Sequence, residues 1–83
     1  MEGFLIHTAE AYSDIVMLVL RKVGRPVKLS GTLCAIRTET PGQALLDLVT
    51  SAIPKTEHAL VARTNGAYVN GGDLLSSAAK LLG

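Results

Sequence analysis

Eighty-three residues with 48% hydrophobic but only 4% aromatic side chains supply one thin, mostly aliphatic core and leave no length for a second domain, so residues 1–83 read as one. Eight Lys and Arg against seven Asp and Glu exclude global steering toward a polyanion. The single cysteine, Cys34, excludes an intrachain disulfide; with no basic leader after Met1 and no apolar run long enough to span a bilayer, a cytoplasmic protein is expected.

Residues 1–7 read as a short apolar strand or an N-terminal arm. Thr8 is placed to cap a helix, with Glu10 in its first turn opposing the macrodipole. Tyr12, Ile15, Val16, Val19, Leu20 and Val23 then recur at three- and four-residue intervals, the spacing of a buried helical stripe. Ala11 and Leu18 widen that stripe to about half the circumference. Gly24, Arg25 and Pro26 form the expected stop, a residue tolerant of positive φ followed by one that cannot continue the helix. Arg21, Lys22, Arg25 and Lys28 hold half of the eight basic residues and form the only basic cluster.

Residues 30–37 carry two readings. Ser30 can cap a short helix with Leu29, Leu33 and Ile36 on one side. Alternatively, Ser30 and Gly31 turn a hairpin whose second strand runs over 32–38. A segment so brief has no decisive period. The next helix start is clearer: Thr40 at the cap, Pro41 at the first helical position and Gln43 three residues after the cap. Leu45, Leu48, Val49, Ala52 and Ile53 form its inner stripe, Pro54 ends it, and Gln43, Asp47, Thr50 and Ser51 face outward.

Residues 58–64 and 67–70 flank Asn65-Gly66, the strongest two-residue hairpin signal. In that hairpin Arg63 stands across from Tyr68. Asp73 can cap a last helix with Leu74, Leu75, Ala78, Leu81 and Leu82 on its apolar side. The lone thiol of Cys34 has no sequence neighbour to lower its pKa and reads as a small buried side chain. His7 and His58 lack metal-ligand spacing. No catalytic residue, cofactor or metal is expected, and the chain does not read as an enzyme.

Over residues 9–69 this order resembles a winged helix-turn-helix domain. The resemblance rests on the Gly24-Arg25-Pro26-Val27 exit of the first helix, the Thr40-Pro41 opening of the third, and the wing-like ribbon tipped by Asn65-Gly66. It implies an α+β, mostly α fold: a three-helix core with a C-terminal hairpin wing over 8–70, plus an extra helix over 73–82 as a candidate dimer face. It also implies a small DNA-binding regulator of transcription, with double-stranded DNA and a second copy of the chain as partners. Gln43 would read an adenine edge, Thr50 and Ser51 would touch phosphate, and Lys28, Arg37, Lys55 and Arg63 would add charge. One feature departs from the pattern: the outer side of the third helix carries Asp47 and no Lys or Arg, whereas phosphate neutralisation supplies most nucleic-acid affinity. That counts against the DNA reading, which stays first, and motivates the alternative, a protein–protein interaction module without nucleic-acid binding. Such a module would be winged-helix-derived or, if 27–38 is a hairpin, β-grasp-like.

Overall fold

Alternation decides the N-terminal segment. Phe4 and Ile6 point one way and Leu5 and His7 the other, so a strand buries one apolar row against a core. The computed structural model describes residues 1–64, and in it this strand, β1 (Glu2–His7), lies inside the sheet and is paired along both edges. It runs antiparallel to β3 (Leu33–Thr38), with Phe4 across from Ile36 and Ile6 across from Cys34. Its other edge pairs antiparallel with β4 (Leu60–Thr64), placing Ile6 across from Val61. A two-residue strand, β2 (Val27–Lys28), adds to the far side of β3. The order is therefore β2-β3-β1-β4.

Two short helices bridge these strands, α1 (Ser13–Leu20) after β1 and α2 (Gly42–Ser51) after β3. The chain order βαββαβ with this sheet order is the ferredoxin-like arrangement of two interleaved split βαβ units. Both helices contribute to one core on one face of the sheet. Phe4, Ile6, Cys34 and Ile36 from the strands meet Val16 and Leu20 from α1 and Leu45, Val49 and Ile53 from α2 and its exit. Full burial of each large aliphatic in that set contributes about 1.5–3 kcal/mol. On the opposite face Ala35 is fully buried, with Leu5 and Leu29 packed around it.

This architecture corrects the mostly α, winged-helix expectation: the described chain is a four-stranded antiparallel sheet with two short helices. The decisive segment is 30–37, where the hairpin reading holds and the second helix of a three-helix core is not formed. The Leu33 carbonyl accepts from the Leu29 N–H at 2.8 Å and the Ser30 N–H at 3.1 Å, and Ser30 Oγ accepts from the Thr32 N–H at 3.3 Å. A helix over these residues would satisfy only its own backbone. As an inner strand, β3 is paired on both edges and also gives the core three buried side chains, Cys34, Ile36 and Thr38. A β-grasp-like reading has the hairpin but not the placement of β1 between β3 and β4.

The first helix is shorter than its apolar spacing suggests. Thr8 does not cap it; Thr8 is buried and its N–H donates to the Thr32 carbonyl at 3.0 Å, tying the end of β1 to the hairpin turn. A 3-10 turn over Glu10–Tyr12 follows, and α1 begins only at Ser13. At the start of α2 the cap falls one residue later than predicted. Pro41 has the extended conformation of an N-cap, with φ −60° and ψ 149°, and its carbonyl accepts the first helical bond from the Leu45 N–H at 2.9 Å. Thr40 turns instead toward Thr38, whose hydroxyl accepts from the Thr40 N–H at 3.1 Å and donates to the Val23 carbonyl at 2.8 Å. That bond pins the exit of α1 to the end of β3. Gly24 allows the approach, because a Cβ there would stand 2.9 Å from the Arg37 carbonyl oxygen. The Asn65-Gly66 turn, the second wing strand, the Arg63–Tyr68 pairing and the helix expected over 73–82 lie outside the described residues.

Candidate interaction surface

The residues expected to touch DNA do not converge. Gln43, Thr50 and Ser51 are exposed on the outer side of α2, as their spacing implied, with Lys55 just beyond its end. Their polar groups are engaged locally. Gln43 Nε2 donates to Asp47 Oδ1 at 3.1 Å, Thr50 Oγ1 to the Asp47 carbonyl at 3.1 Å, and Ser51 Oγ to the Leu48 carbonyl at 2.7 Å. Asp47, Thr50, Ser51, Lys55 and Glu57 line an open groove at that end of the helix, two acids to one base.

The other three bases are scattered. Arg37 alternates with Cys34, Ile36 and Thr38 on β3, so it projects on the sheet face away from α2. Arg63 is on β4, where its Nη1 lies 3.3 Å from Glu2 Oε1. Lys28 is on the opposite edge of the sheet, its Nζ 3.8 Å from Asp14 Oδ1 of α1. Lys28 at the far edge and Arg37 on the far face stand apart from Gln43, while Arg63, across from Phe4 on the α2 side of the sheet, is paired with Glu2.

The interior holds little room for a ligand. Ile6, Thr8, Ser13, Met17, Lys28 and Cys34 border a cavity of about 10 Å³ under α1, at the lower limit for a single water. Burial pushes the Cys34 thiol from 9.0 up to about 11, the reverse of what makes a thiol nucleophilic. Among the described residues no three His, Cys, Asp or Glu side chains gather as a metal site would, and no helix is long and apolar enough to cross a membrane.

The feature that sequence reasoning missed is on α1. Its buried side is Ser13, Val16 and Leu20. Ile15 and Leu18, placed by periodicity in the buried stripe, are 46% and 58% exposed, and Ala11 is exposed too. Ile15 and Leu18 stand at i and i+3 on one side of α1, which ends at Leu20. Arg21 is the C-cap of the helix, Lys22 lies in the turn that follows, and Arg25 comes after Gly24, beyond that turn. Arg21, Lys22 and Arg25 are all exposed, and none has an ion pair among the described residues. The signal was present in the sequence as an apolar stripe too wide for a short helix to bury on one side.

No protein-family model, curated protein or solved structure matches the chain. The fold alone carries no function, since one fold hosts many unrelated sites.

Proposed function

We propose that this chain is a protein-interaction module that docks a partner on the outer side of α1. The observation that carries the reading is the inverted distribution on that helix: a serine is buried on its inner side while Ile15 and Leu18 are left in water. Surface leucines scattered singly need no explanation, but two adjacent on one helical line are the start of an apolar patch. Covering what remains exposed of the pair is worth roughly 2 kcal/mol.

The reading as a DNA-binding regulator rested on a recognition helix held by a three-helix core with a wing beside it. With α2 lying on a sheet, and Lys28, Arg37 and Arg63 dispersed, that reading has lost its geometric support. Single-stranded nucleic acid is not favoured by the open sheet face either. Such faces stack bases on aromatic rings, and the described strand positions there, which include Leu5, His7, Leu33, Ala35, Arg37 and Leu60, hold no Phe, Tyr or Trp.

The test places a photo-crosslinking side chain at position 18 and, in a separate protein, at exposed Thr56 beyond α2. In extract from the source cells, position 18 is expected to yield a discrete protein adduct that unlabelled wild type competes away and Ile15→Asp does not. Equal adducts from both positions, or none that wild type competes, would discard the reading.

A further inference from the structure

We infer that the partner presents an acidic, aliphatic amphipathic helix, its apolar row over Ile15 and Leu18 and its carboxylates over Arg21, Lys22 and Arg25. The inference rests on the interaction reading and adds the chemistry of what docks. A helix side offers no unpaired strand edge, so backbone pairing is closed to the partner, and side chain must meet side chain. A second helix does this with its own i, i+3/i+4, i+7 row, ridges set into grooves.

Charge gives the partner its sign and its direction. Arg21 and Lys22 at the exit of α1, and Arg25 just past it, lack acidic partners among the described residues. The acids Glu10 and Asp14 stand at the other end of the helix, Asp14 fully exposed with its Oδ1 3.8 Å from Lys28 Nζ, so negative charge marks the start of α1 and positive charge its exit. The helix dipole makes Arg21 and Lys22 comfortable at that end without any partner. It gives no reason for Ile15 and Leu18 to stand exposed beside them. A polyanion such as nucleic acid would use the cations but leave the two aliphatics unsatisfied; an acidic amphipathic helix uses both.

The test uses the full chain and two fluorescein-labelled peptides, each about 18 residues long so that helix can form. Both carry the same leucine row, one flanked by Glu and the other by Lys, and binding is read by fluorescence anisotropy. The Glu peptide is expected to bind at least about tenfold more tightly than the Lys peptide. That affinity should fall about tenfold or more between about 50 and about 500 mM salt. It should also fall about tenfold or more, from lost apolar contact or lost charge pairing, in Leu18→Ser and in the double variant Arg21→Glu/Lys22→Glu. The urea midpoint of each variant, measured in parallel, should match wild type, which separates lost binding from lost folding.

Equal affinity for the two peptides, or none for either, overturns the inference. So does displacement of the Glu peptide by duplex DNA at equal concentration. A dimer seen by sedimentation and dissolved by Leu18→Ser would make a second copy the occupant and overturn it as well. Loss of peptide binding with the position-18 adduct intact refutes the partner's chemistry alone; loss of both removes the interaction reading beneath it.

Discussion

The two helices lie on the same face of the same sheet and divide their residues in opposite ways. In α2 the partition is conventional: Leu45 and Val49 are buried, while Gln43, Asp47, Thr50 and Ser51 are exposed and hydrogen-bonded along the helix. In α1 the buried set includes Ser13, and two of the exposed positions are Ile15 and Leu18. A helix whose outer side is polar is finished by its own fold. One whose outer side is aliphatic is held in place by its inner contacts and has a second surface to satisfy elsewhere.

That contrast can be broken or sharpened by substitution. Leu20→Ala in α1 and Leu45→Ala in α2, both at fully buried positions, should each lower stability by about 2–5 kcal/mol in urea denaturation. A cost well under 1 kcal/mol for Leu20→Ala would mean that α1 is not docked as described. Cys34 lies beneath α1 and reports on the same packing. At pH 8 its alkylation in the folded protein should be on the order of 100-fold slower than that of an ordinary thiol, from ionisation alone. Because its folded pKa is raised, the stability it contributes is complete below about pH 9 and declines between 9.0 and about 11. A urea midpoint that rises across that interval would contradict the burial.

Thr38→Val removes the hydroxyl that joins the Val23 carbonyl to the Thr40 amide and should cost about 1–3 kcal/mol. The loss should appear chiefly as faster hydrogen exchange at the exit of α1, with α2 less affected. Arg63→Ala, which deletes an exposed pair with Glu2, should change stability by less than about 1 kcal/mol. Leu18→Ser should be the quietest of the set, within about 0.5 kcal/mol, while the unlabelled variant no longer competes for the position-18 adduct. If it instead destabilises the fold as Leu20→Ala does, the distinction between the two sides of the helix is gone.

Much of the local structure was written in the sequence. The helix over 42–51, the apolar strand before His7 and the strand leading to Asn65-Gly66 each have a period, a breaker or a cap that a single segment can carry. What decided the architecture was not local. Residues 30–37 satisfy a helix and a strand equally well until β1 lies beside them, and nothing in 2–7 announces a strand paired on both edges. The start of α1 misled for a related reason: Thr8 had the right chemistry for a cap, but its amide was claimed by Thr32, 24 positions away in sequence. On the candidate surface, the basic cluster at 21–28 was legible, though Lys28 departs from it onto β2 beside Asp14, and the outward turn of Gln43, Thr50 and Ser51 was read correctly. The exposure of Ile15 and Leu18 was not, because periodicity gives the width of an apolar stripe but not how much of it the sheet can cover.

The central position of β1 also has a temporal side. Ribosomes deliver this strand before either of its neighbours, and its second edge is not closed until residues 60–64 have been made. Until then Phe4 and Ile6 have no finished interior to enter, and a row of backbone amides and carbonyls stays open to any passing strand. Closure of the sheet is therefore expected to wait until residues 60–64 have left the ribosome, with residues 2–7 the segment most dependent on chaperone shielding until then.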